Sequence, residues 1–421
     1  MSINIKKFNN LFTIFVTFIM FVAIYNLYLK HNVGNDSTIS EWLINYQGGF
    51  TRRGIIGEIC FHISKFLNIG LRDTIFFFQS TMYVIFSILL VTYIKNVPKN
   101  ILTVIAIYSP VFLLYPVAEL EVLARKEIFL YVGFIFFLKL CNQTTNKDAS
   151  LIYVFFVFPV LCLIWEPFIF YLPFSFFIVL IKHNVDSFKK INFKIFFAFL
   201  SPLFTAIFIV KNLLPPEGHE IMKQSLMDNF NERCYMSCAL LKSKSGIAIQ
   251  FQSVLNILTF EALFRYFLII LVSFFPLLFL FKNSELKYKI FIFQKLSLPI
   301  FLLLLPSLIL FSSGTDWGRW VNITYTFSVL FYLYLVKNDL ITVKDNVLIF
   351  NNYLKNNKKM FCIVFFIFAF YWNPKTSMTG DVATNSLYKV VYNNSKRIFK
   401  FDGLYLFKDS WLIKFHKNYI E

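Results

Sequence analysis

LFTIFVTFIMFVAIYNLYL, residues 11–29, decides the class of this protein. The run carries no charge and is about as long as a helix needs to cross the hydrocarbon core of a bilayer. Lys6 and Lys7 stand before it, which gives it the outline of a secretory leader. It is too long for a leader's apolar core, and no small-x-small cleavage pattern follows. The segment therefore reads as a retained first membrane helix.

The same pattern recurs along the chain. Of 421 residues, 57% are hydrophobic, 20% aromatic and only 15% charged, against about 25% charged in a soluble domain. Apolar runs predict helices at about 11–29, 74–94, 101–117, 127–140, 151–165, 168–182, 195–213, 262–281, 296–312, 320–336 and 360–372. The expected fold class is all-α, a polytopic membrane protein of about eleven helices. The pair 151–165 and 168–182 turns at Trp165-Glu166-Pro167 and reads equally as two spans or a re-entrant hairpin. No internal repeat and no soluble domain stand out, so residues 1–421 read as one membrane domain.

Lysines in short connections set the orientation, because basic residues near helix ends stay cytoplasmic. Lys6 and Lys7, Lys95 and Lys99, Lys182 and Lys194, Lys282 and Lys287, and Lys337 and Lys344 fall on alternate connections, in phase throughout. The N-terminus is then inside and the C-terminal tail outside. Loops 30–73, 118–126, 214–261 and 313–319, with the tail 373–421, form the outer face. Every arginine lies in or beside these connections, Arg265 at a helix start, and nearly every carboxylate is on that side, a sorting that anchoring alone does not require. The segments 55–67 and 401–415 mix apolar side chains with lysine and read as lying on the membrane surface.

Three outer stretches concentrate the chemistry. QGGFTRRGIIGE, residues 47–58, sets Arg52 and Arg53 among glycines. Snorkelling or lipid-headgroup contact is one reading. The other is a diphosphate site: two guanidinium forks, tight turns at Gly48, Gly49 and Gly54, and a helix start at Gly54, with Glu58 orienting an arginine or acting alone. ELEVLARKE, residues 119–127, offers Glu119, Glu121, Arg125 and Glu127, either as solvated local pairs or with one carboxylate facing a site. SGTDWGRW, residues 313–320, joins Asp316 and Arg319 to Trp317 and Trp320. Interfacial tryptophan is ordinary, but aromatic faces beside a carboxylate also suit a sugar ring. Asp36, Glu41, Glu166, Glu217, His219, Glu220 and the Glu261/Arg265 pair are weaker candidates. Cys234 and Cys238 form a C-x3-C pair that reads as two thiols or a loop disulfide. For zinc, only His219 and Glu220 lie near them, so no metal site is assigned.

This arrangement of helices, with arginines 52, 53, 125, 233 and 319 confined to outer loops, resembles the O-antigen and capsule polymerases of the Wzy type. It also resembles the wider class of polyprenyl-phosphate-dependent integral membrane glycosyltransferases. The resemblance implies a bacterial cytoplasmic (inner) membrane protein that polymerises or transfers polyprenyl diphosphate-linked sugars at the outer face, in surface polysaccharide or lipopolysaccharide synthesis. Its partners would be membrane lipid, the lipid-linked sugars and a chain-length regulator protein, with no cofactor, a divalent metal staying open. On that reading Arg52, Arg53, Arg125 and Arg319 bind the diphosphate, Trp317 and Trp320 the sugar, and Asp316, then Glu58 and Glu121, supply the base.

Other readings compete. An acyl or single-sugar transferase would use the same face. A flippase or transporter is disfavoured because the predicted helix interiors lack ionisable groups. A scaffold would tolerate loss of the outer arginines. No P-loop, zinc motif or nucleophile elbow is present, and the net charge of +18 lies largely on lysine-rich connections rather than in a nucleic-acid patch.

Overall fold

The computed structural model describes residues 5–32, 37–95, 97–98, 100–143, 147–185, 187, 191–239, 241, 247–290, 293–380, 382–384 and 386–399. Asp36 and the 401–415 segment lie outside them. Among the described residues, four helices are long and apolar enough to cross a membrane: Lys6–His31, Leu71–Ile94, Phe193–Lys211 and Phe260–Lys282. Their exposed side chains are large and apolar, among them Phe21, Phe77, Phe204 and Phe267, as a lipid-facing band demands. The remaining expected segments are helical but shorter or more polar, including Glu127–Gln143, Asp148–Ile164, Leu172–Lys182 and Lys358–Phe370. Two small sheets supplement the helices: Ser284–Ile290 pairs with Phe293–Lys295 and Ile341–Val343, and Trp372–Pro374 with Val382–Thr384.

Trp317–Lys337 is the central helix. Nearly all of it is buried, polar residues included. Asn322, Thr326 and Ser328 are tolerated because each has a partner; the two hydroxyls bond carbonyls one turn back. Asn322 instead explains a departure from expectation. The helix expected over 101–117 stops at Ile107. Pro110 has no N–H to donate and disfavours helical geometry in the residue before it. The freed carbonyls of Val111 and Phe112 accept from Asn322 Nδ2 at 2.7 and 3.1 Å. Tyr325 Oη donates to the Ala106 carbonyl at 2.7 Å. A broken helix is therefore present, with its ends closed by side chains.

The connections gather at two ends of the bundle. At one, Trp42 Nε1 donates to the Ala124 carbonyl at 2.6 Å, Arg53 reaches Glu166, and Gly318 N–H donates to the Thr376 carbonyl at 3.1 Å. The 37–58, 118–127, 165–166, 313–319 and 372–380 segments thus meet. At the other end lie the three-stranded sheet and lysines that close helix ends. Lys182 Nζ donates to the Cys141 carbonyl and Lys337 Nζ to that of Tyr93, where cations favour the helix dipole.

Candidate functional site

The site is a chain of buried ion pairs at the arginine end. Gly54–Leu67 is helical as expected, and Arg53 precedes it with φ 62°, an uncommon conformation outside glycine, asparagine and aspartate. That geometry aims the guanidinium at two carboxylates. Arg53 donates to Glu41 at 2.9 Å and grips Glu166 with two bonds of 2.7 and 2.9 Å. Glu41 is wholly buried and also meets Arg125 at 3.3 Å. Lys126, equally buried, donates to the Arg53 carbonyl at 2.6 Å and lies over the Trp42 ring. Arg52 stands 3.8 Å from Glu166 and keeps 29% of its side chain exposed.

A second cluster adjoins the first. Arg319, buried at the start of the central helix, pairs with Glu127 and reaches Asp316 at 3.1 Å. Its guanidinium lies over the rings of Trp165 and Trp320, as a cation does on an aromatic face. Trp165 joins the clusters, since it precedes Glu166 in the chain and packs on Trp320. Three buried polar atoms around Arg319 have no hydrogen-bond partner among the described residues: Glu127 Oε2, Trp165 Nε1 and Trp320 Nε1. Buried polar groups are nearly always satisfied, and here three unsatisfied ones gather beside one guanidinium. At the rim, Glu119 holds Lys375 and Asn373, each at 3.1 Å.

Electrostatics follow the packing. Burial alone would raise the Glu41 carboxyl, but Arg53, Arg125, Arg319 and Lys126 hold it well below the carboxylate range. Burial also opposes ionisation of Glu166, and Arg53 and Arg52 overcome it, so this carboxyl too stays low. For Lys126 burial wins: despite Glu41, its ammonium is brought down to about 8.

Several expected roles change. Arg53 is not a free fork for phosphate, because two carboxylates already occupy it. Glu58 orients no arginine: it accepts from Tyr46 N–H and Gln47 Nε2, both at 2.7 Å, and pairs with His62. Glu121 is exposed, and Arg125 Nε meets its backbone carbonyl rather than its carboxylate. Trp317 is spent on packing, with Nε1 donating to the Phe311 carbonyl at 2.8 Å and its ring edge-on to Tyr266. Gly48 serves close backbone approach, since a Cβ there would overlap the Gly218 carbonyl. Gly54 lies against the Tyr46 ring instead of a ligand. Arg125, Arg319, Asp316 and Trp320 do converge. Glu41 and Glu166, weak in sequence, are central. Glu127 is the carboxylate of the 119–127 stretch that faces the cluster. Lys126 and Trp165 carry no role in the sequence reading; the one signal for Lys126 is that it stands charged at the entry to an apolar run.

Two apolar recesses lie nearby. One is enclosed by Val16, Ile19, Tyr83, Phe86, Ile128 and Tyr131. The other is an open groove beginning three residues past Glu166, lined by Ile169, Leu172, Phe176, Phe196, Phe199 and Leu203. No protein-family model matches the chain, and neither a curated protein nor a solved structure is detectably similar to it.

Proposed function

We propose that this protein is a multi-pass glycosyltransferase of surface polysaccharide synthesis. It would join or transfer sugars carried on polyprenyl diphosphate at the outer face of a bacterial cytoplasmic membrane, with about eleven membrane segments, the N-terminus inside and the tail outside. The observation that carries the reading is the orphaned trio around Arg319. A carboxylate oxygen and two indole N–H groups are what a polyhydroxylated ring needs: an acceptor for one hydroxyl and donors for others.

The residues divide the work by how tightly they are paired. Arg52, 29% exposed and 3.8 Å from its carboxylate, and Arg125, with one carboxylate contact of 3.3 Å, hold the diphosphate and stabilise charge that develops as it leaves. Arg53, locked by Glu41 and Glu166, positions them. The open groove past Glu166 takes the start of the polyprenyl chain, and its apolar lining supports a lipid-linked substrate. Glu127, Trp165 and Trp320 orient the sugar. The acceptor hydroxyl attacks the anomeric carbon, the bond from that carbon to the phosphate oxygen breaks, and Asp316 takes the hydroxyl proton. Asp316 fits this step because its side chain is 32% exposed and can release the proton to water. A chain-length regulator would dock on this face.

The test pairs a gene deletion with site variants. Loss of the surface-polysaccharide ladder, with single lipid-linked units remaining, marks a polymerase. A full-length ladder lacking one sugar marks a single-sugar transferase. An unchanged pattern in the deletion strain, or full complementation by both Asp316→Asn and Glu127→Gln, overturns the proposal.

A further inference from the structure

The molecule has a second cluster of reactive side chains, away from the arginines. Pro216–Phe230 forms a helix, and the chain after it carries Cys234 and Cys238. These are joined as a disulfide, not left as free thiols. They sit in a small core of their own with Ile44, Leu214 and Met222. His219, buried on the first turns of the helix, points Nε2 at the pair, 3.4 Å from Cys234 Sγ and 3.3 Å from the Cys238 carbonyl. The donor atoms of all three side chains lie within 4.8 Å of one another.

We propose that His219, Cys234 and Cys238 form a zinc site whose oxidised, metal-free state is the disulfide. The proposal stands apart from the glycosyltransferase reading. Bonds of about 2.3 Å to sulfur and about 2.0 Å to nitrogen, at a tetrahedral angle, separate sulfur and nitrogen by about 3.5 Å. His219 and Cys234 already have that spacing. The cysteine Cα atoms, 5.3 Å apart, keep both sulfurs on one side of the loop, where on release they part to about 3.8 Å. Its Nδ1 makes no hydrogen bond among the described residues, and the half-exposed Glu220 carboxylate stands 3.7 Å away, near enough to become the partner that fixes the tautomer once a metal is held. Three protein donors leave the fourth position for water or a further ligand.

The chemistry balances with a named reductant. A trialkylphosphine and water convert the disulfide to two thiols and the phosphine oxide; a protein dithiol does the same by becoming a disulfide itself. Zinc then displaces both thiol protons as it binds. The site touches the first cluster's support, because Ser237 N–H donates to Ser40 Oγ at 3.0 Å, one residue before Glu41.

The experiment uses the full chain in detergent, oxidised or reduced with phosphine and desalted without oxygen, then titrated with zinc against a chromophoric chelator. The reduced chain is expected to retain about one zinc ion, and the oxidised chain none, at this site. Cobalt(II) in its place should give thiolate charge-transfer absorption. Glu220→Gln should weaken zinc about 10- to 100-fold, and His219→Ala at least as much. The Cys234→Ser/Cys238→Ser double variant keeps the other four cysteines as a control. Equal zinc binding by oxidised and reduced chains, which needs no variant, overturns the proposal. So does equal binding by the double variant and the reduced wild type.

Discussion

The two ends of this bundle handle charge in opposite ways. At the lysine end, ion pairs lie in the open: Lys194 and Asp148 meet at 3.0 Å with side chains 64% and 48% exposed, and Lys344 and Glu285 meet at 2.8 Å, also exposed in part. Such pairs contribute little, because water screens them and long side chains lose freedom in forming them. At the arginine end, Glu41, Glu127, Lys126 and Arg319 are almost wholly buried. Desolvation costs several kcal/mol per ion, in order of magnitude, so stability alone is a poor reason to build this cluster. Charge that is costly to bury and held in fixed directions is what a binding or catalytic centre uses.

The largest break in this contrast should come from Arg53→Ala. It strands Glu41 and Glu166 in the interior, and loss of one partner from a buried pair costs about 3–5 kcal/mol. Thermal unfolding in detergent should show it, whereas Lys194→Ala at the far end should cost less than about 1 kcal/mol. An equal effect of the two variants would erase the distinction between the ends. Next in size, Arg52→Ala should lower transfer of a lipid-linked sugar in reconstituted membranes by about 10²–10³-fold, the cost of removing one preorganised group that stabilises developing charge. Its melting temperature should move far less than that of Arg53→Ala, since Arg52 is the more exposed arginine with the longer contact.

A pH series sharpens the same comparison. The Lys126 ammonium sits at about 8, below its ordinary 10.5. Between these values the unfolded chain binds more protons than the folded one, so this group makes stability rise with pH across the window. Lys126→Met should flatten the rise, read as the difference between the two pH–melting curves. Glu41 and Glu166 act with the same sign, at the acid end of the scale. Held low when folded, they lend stability above about pH 4.5 that falls away in acid. The smallest expected effect belongs to Glu121→Gln, an exposed side chain outside the cluster, which should leave melting and transfer within error of the wild type.

The helical class and the lysine alternation were legible because both are local. A bilayer demands runs of apolar residues, and short connections collect lysine; a linear reading captures each. The Gly54 helix start and the Glu261/Arg265 pair, found at 3.9 Å, were legible for the same reason. The broken helix at 108–114 was not, because its stability comes from Asn322, more than two hundred residues away in sequence. Arg125, Arg319, Asp316 and Trp320 are legible from their charge and setting, and the Asp316/Arg319 pair is found at 3.1 Å, but the distant partners Glu41 and Glu127 are not. Glu58, expected to orient an arginine or act alone, does neither for Arg53, to which the fold gives Glu41 and Glu166.

Sequence by itself determined that this chain is a helical membrane protein and that its arginines fall in particular connections, since hydropathy and residue type are properties of the chain alone. Only the tertiary structure decided which arginines are locked and which stay near the surface. It also decided that Glu127, Trp165 and Trp320 surround Arg319 with polar atoms left unsatisfied, and that His219 faces a disulfide. The reason is physical. An ion pair or a hydrogen bond depends on distance and burial, and in this bundle both are set by contacts between helix ends far apart in sequence.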